Sequence, residues 1–69
     1  MKKRDIIHAM KETRDAFEMT VRWLDREIET AEDEKTEAYL IGKKTARIAD
    51  INLIDEKLEI IKAAEKEHG

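Results

Sequence analysis

Two carboxylate-x-x-histidine spacings, Asp5–His8 and Glu65–His68, set an acid and an imidazole one helical turn apart. Di-iron bundles hold metal with a Glu-x-x-His on each of two helices plus further inward glutamates. A chain folded back on itself would bring both spacings to the same open end. These residues nevertheless flank the apolar pattern instead of belonging to it, and 17 acids in 69 residues generate such spacings readily. No metal or other cofactor is expected. Arg14 and Glu56 resemble a catalytic ion pair, but an Arg–Glu layer between helices more often sets register than does chemistry. The chain has no serine, no cysteine nucleophile and no phosphate-binding glycine loop. The acids Glu29, Glu32, Asp33, Glu34 and Glu37 gather where a turn is expected, and a solvated charge run is the simple reading. An enzyme is not expected.

Basic residues offer a second chemistry. Lys2, Lys3 and Arg4 open the chain, and Lys43, Lys44 and Arg47 form another cluster. A helical-hairpin dimer can bind nucleic acid through such a face. Here no aromatic interleaves the basic residues for base stacking, acids crowd the same helices and the net charge is −3. Nucleic-acid binding through Lys43, Lys44 and Arg47 is therefore the alternative, and protein binding the first reading.

The elements that position these residues follow from composition and spacing. Charged residues make up 45% and apolar residues 41%, with no proline, no cysteine and two glycines. That profile belongs to long helices or a coiled coil. Absent cysteine excludes disulfides and thiolate metal sites. No apolar run approaches the roughly 18 residues of a membrane span. The start, MKKRDIIHAM, scatters its apolar residues and does not read as a signal peptide, so a cytoplasmic protein is expected.

From Ile7 onward, Ile7, Met10, Arg14, Phe17, Val21, Leu24, Ile28 and Ala31 step by three and four. The frame then fails, and a second one begins at Tyr39: Tyr39, Gly42, Ala46, Ala49, Leu53, Glu56, Ile60 and Ala63. Folding about Lys35 sets Arg14 opposite Glu56 and Gly42 opposite Ile28. The expectation is an all-α antiparallel two-helix hairpin in a single domain, residues 1–69. Helix 1 runs over about 4–32, the turn over about 32–36 and helix 2 over about 34–67. Asp33 or Thr36 is suited to cap helix 2. Among the flanks of this register, Asp25–Lys43 is favourable.

Helix 2 carries a further stripe, Ile51, Ile54, Leu58 and Ile61, with Ile48 beside it. In the expected register it points away from helix 1, and a helix apolar on two faces needs two neighbours. A homodimer forming a four-helix bundle through Ile48, Ile51, Ile54, Leu58 and Ile61 is expected. Trp23, with Met19 adjacent, is the candidate site for a different protein, because Trp concentrates binding energy. The expected function is a non-catalytic adaptor, inhibitor or regulator.

Overall fold

The computed structural model describes residues 2–68. The chain forms two helices, α1 (Lys3–Glu29) and α2 (Glu34–His68). Cross-links between them run in opposite directions along the chain: Lys3 with Glu65, Arg14 with Asp55, Asp25 with Lys44. The hairpin is therefore antiparallel. It is a rod of 53 × 17 × 15 Å, and the 35 residues of α2 account for its length at ~1.5 Å per residue.

The turn is built without glycine or proline. Asp5 lies in the first turn of α1 and Arg26 in its last, each favourable to the helix dipole. Thr30 closes α1: its N–H donates to the Arg26 carbonyl at 3.3 Å, and its hydroxyl reaches the same oxygen at 3.2 Å. This satisfies carbonyls that a helix end leaves open, and it stops α1 three residues before the expected boundary. Asp33 then caps α2. Its Oδ1 accepts the Thr36 backbone N–H at 2.7 Å, and its Oδ2 accepts the Thr36 hydroxyl at 3.0 Å.

The α1 seam has the residues anticipated from spacing. Leu24 is buried, while Ile7, Met10, Arg14, Phe17, Val21, Ile28 and Ala31 are half-buried. The α2 seam is a different one. Leu40, Lys44, Arg47, Ile51, Ile54, Leu58 and Ile61 turn toward α1, again at steps of four and three. Tyr39, Gly42, Ala46, Ala49, Leu53, Glu56, Ile60 and Ala63 are all exposed. Relative to the expected register α2 is rotated by roughly 150°, from the helical repeat.

Apolar area explains the rotation. Full burial of an aliphatic side chain is worth ~1.5–3 kcal/mol. Leu40, Ile51, Ile54, Leu58 and Ile61 offer five large aliphatic side chains, where the alternative offers Tyr39, Leu53 and Ile60 among three alanines, a glycine and Glu56. Near the turn the same seam carries Lys44 and Arg47, whose methylene stems cover α1 while their charged heads reach its edge. Two expectations are corrected by this geometry. Gly42 is not the small half of a layer with Ile28, because a Cβ built on it meets nothing within 4 Å. Lys44, not Lys43, pairs with Asp25.

Two outcomes follow. Gly42→Ala removes a helix-interior glycine that is open within the single hairpin, so at concentrations where the chain is monomeric it should stabilise the helix by ~1 kcal/mol and raise the thermal midpoint; a lower midpoint there would mean that Gly42 is packed within the hairpin. The hydrogen bonds from the Thr36 N–H and then its hydroxyl hold the Asp33 carboxyl below its ordinary value. The cap's contribution is thus present above the unfolded pKa of about 3.9 and lost as pH falls through the lower folded value. Asp33→Asn retains a capping side chain and should flatten this part of the acid-unfolding curve, measured by circular dichroism between neutral pH and pH ~2.

Candidate functional site

The residues singled out for chemistry do not converge. His8 Nε2 lies 2.8 Å from Glu12 Oε1, one turn onward, and not with Asp5. Glu65 pairs with Lys3 at 3.4 Å, and the His68 side chain lies outside the described residues. Glu29, Glu32, Asp33, Glu34 and Glu37 are all exposed, with Asp33 serving as the α2 cap. Among the described residues no group of three His, Cys, Asp or Glu side chains is placed to hold a metal ion.

Arg14 does bridge the helices, but to a different acid. Its Nε donates to Asp55 Oδ1 at 2.5 Å, and its Nη1 lies 2.9 Å from Glu18 Oε1. Asp55, by hydrogen bond and then by charge, raises the guanidinium pKa above its ordinary value, and the carboxylates of Glu18 and Asp15 add to this. Glu56, the expected register partner, is exposed. Rotating α2 turns position 56 away from α1 and brings the neighbouring carboxylate to the seam. The pair is a polar break in an apolar seam that joins the two helices.

The basic cluster is largely occupied within the hairpin. Lys44 Nζ lies 2.5 Å from Asp25 Oδ1. Arg47 contacts Asp50 at 3.2 Å and stacks 4.9 Å from the centre of the Phe17 ring. Lys43 Nζ stands 5.2 Å from the Tyr39 ring centre, and it is the one of the three that meets no carboxylate among the described residues.

The stripe assigned to a second copy is the inner seam of the hairpin. Ile51 is buried, Ile54, Leu58 and Ile61 are half-buried against α1, and Ile48 alone is left on the flank, 39% exposed. α1 covers Ile51 and about one flank of Ile54, Leu58 and Ile61, which leaves less of this stripe for a partner than the expected register did. What α2 presents instead is its other stripe, with Tyr39 63%, Leu53 52% and Ile60 64% exposed. Spacing alone hid this surface, since both stripes keep the same period; side-chain size along each would have separated them.

On α1, Met19 and Trp23 stand 69% and 54% exposed. Trp23 joins Phe17, Thr20 and Leu24 of α1 and Lys43, Ala46 and Arg47 of α2 around an open groove. The indole and the α2 cations thus share one side of the hairpin. Comparison with family models, curated proteins and solved structures finds no match to the chain.

The Arg14 contact yields a direct test of the register. Arg14→Asp and Asp55→Arg should each lower the thermal midpoint, and the double exchange should recover part of the loss. Pairing Arg14→Glu with Glu56→Arg should show no such recovery, and coupling at Glu56 in place of Asp55 would reverse the rotation assigned to α2.

Proposed function

We propose that this chain is a non-catalytic protein-binding module, an adaptor, inhibitor or regulator, that associates with itself and docks a different protein through Met19 and Trp23. The observation that carries the reading is the exposure of these two large apolar side chains beside one another on α1. Both stand outside the seam, so neither is needed to hold the helices together. Trp offers a large, rigid apolar surface with one hydrogen-bond donor, the composition of a binding hot spot. The groove beside Trp23 adds an apolar floor from Phe17, Leu24 and Ala46.

Self-association is supported by the scarcity of the interior. Leu24 at 2% and Ile51 at 9% exposure are the buried hydrophobic residues of the hairpin. A domain of this size normally gains stability from a staple, a metal or a second chain; cysteine is absent, and no metal-holding group occurs among the described residues. Two hairpins joined face to face would make a four-helix assembly. Nucleic-acid binding at Lys43, Lys44 and Arg47 has less in its favour, because two of these cations already meet carboxylates and phosphate affinity grows with the number of cations released to it.

The test uses the full chain as bait in extracts of its own host. The wild-type chain should retain a protein partner that the combined Met19→Ala and Trp23→Ala chain loses by tenfold or more, roughly the loss of ~1.4 kcal/mol or above expected of a hot spot. Helicity and oligomeric state should be unchanged in the variant. Undiminished capture would remove Met19 and Trp23 from the site, and retention of nucleic acid, lost on charge removal at Lys43, Lys44 and Arg47, would favour the alternative.

A further inference from the structure

The outer stripe of α2 is a complete heptad seam with no partner. Tyr39, Gly42, Ala46, Ala49, Leu53, Glu56, Ile60 and Ala63 lie on the side of α2 turned away from the α1 seam, and every one is exposed. Gly42 is the most telling of them. It sits inside a 35-residue helix with ordinary helical φ, surrounded by open space. A helix-interior glycine costs ~1 kcal/mol relative to alanine, and nothing in the hairpin uses the room it leaves.

Area points the same way. A compact folded chain of 8.1 kDa exposes about 4,500 Å². This hairpin exposes 5788 Å², an excess of roughly 1,300 Å² over that scaling. A standard protein interface takes ~800 Å² from each partner. The surplus, part of which a 53 × 17 × 15 Å rod carries by its shape, is larger than this share and so leaves room for one such interface.

We infer that the occupant of this stripe is a second copy of the chain, with α2 packed antiparallel on α2 about a two-fold axis at the level of Ile51. This deepens the self-association put forward above by naming the face and its register. The register is chosen by size. It sets Tyr39 against the second copy's Ala63, Ile60 against its Gly42, Leu53 against its Ala49 and Glu56 against its Ala46. Each layer holds one larger residue and one glycine or alanine, the alternation that lets facing helices interdigitate. The two-fold repeats each layer, as an isologous interface requires.

Charge agrees at the one polar layer. Glu56, set over Ala46, comes beside Lys43 one helical turn earlier on the facing helix. Among the described residues, Lys43 is the cation of its cluster that meets no carboxylate; it stands over the Tyr39 ring. Gly42 then has a use, since its missing side chain admits Ile60. Like charges approach at the exposed flanks, Lys43 toward Lys57 and Asp50 toward Asp50, which lowers affinity modestly. Met19 and Trp23 belong to α1 and lie off this seam; the groove beside Trp23 shares Lys43 and Ala46 with it, so a dimer built in this way narrows that groove while leaving the two α1 side chains outside the seam.

Sedimentation equilibrium on the full chain tests the inference. The wild-type chain should be a dimer at micromolar concentration. Gly42→Phe should weaken dimerisation by at least ~10-fold, from overpacking at two symmetric layers, with helicity retained because the site is open in the free hairpin. Charge reversal supplies an independent arm: Lys43→Glu and Glu56→Lys should each weaken the dimer, and together restore it. In a chain without native cysteine, a short bis-maleimide should join two copies of the Asn52→Cys chain near the axis and fail with the Met19→Cys chain. A monomer at all concentrations would overturn the inference while leaving partner capture by Trp23 intact. A dimer indifferent to Gly42→Phe, or one cross-linked through position 19, would overturn it in favour of another face. Confirmed dimerisation with no Trp23-dependent capture would instead sink the protein-docking reading alone.

Discussion

A two-helix hairpin has one internal seam, and α2 brings two apolar stripes to it. Only one can be covered by α1, and the choice sets everything else about the molecule. The Ile51, Ile54, Leu58 and Ile61 stripe goes inward because its side chains carry more apolar area. From that choice follow the Arg14–Asp55 and Asp25–Lys44 contacts, the engagement of Arg47 with Phe17 and the open space at Gly42. The surface that remains is a consequence of the seam that was taken.

The same constraint makes the hairpin thin. Helices packed in a pair bury one flank each, so most seam residues end half-exposed, and Leu24 and Ile51 are the buried hydrophobic residues. Polar contacts at the seam edges then matter more for orientation than for net stability. Arg14 and Lys44 lie where apolar packing is interrupted, and each finds a carboxylate across the interface. Exposed ion pairs contribute little energy, but a displaced register would leave both cations facing apolar side chains. Both contacts therefore bear on alignment of the helices more than on net stability. The loop obeys a similar economy: Thr30 ends one helix and Asp33 begins the next with side-chain hydrogen bonds, without need of glycine or a positive φ.

Function reads from what the hairpin leaves over. Asp5, His8 and Glu65 lie exposed along the rod, and no cluster of three acids or histidines assembles among the described residues. The basic trio is split among a carboxylate contact, a stacking contact and the face of a tyrosine ring. Large apolar side chains, by contrast, stand free on two distinct tracts, Met19 and Trp23 on α1 and the Tyr39-to-Ile60 stripe on α2. These two tracts support the proposed association with a like and an unlike partner.

Much of this was legible in the residues themselves. Helical periodicity, absent proline and the failure of the first frame after Ala31 fix two long helices and a turn near Asp33, because these are local properties of the backbone and its nearest side chains. The α1 seam was legible too, since α1 has one dominant apolar stripe and period alone identifies it. On α2 the period was silent: stripes beginning at Tyr39 and at Leu40 both step by three and four, so spacing supports either. Side-chain volume against α1, and the reach of the Lys44 and Arg47 stems along it, made the decision, and both are properties of a pair of helices. That is why Glu56 was mistaken for its neighbour Asp55, and why the stripe expected to bind a second copy became the interior of the first.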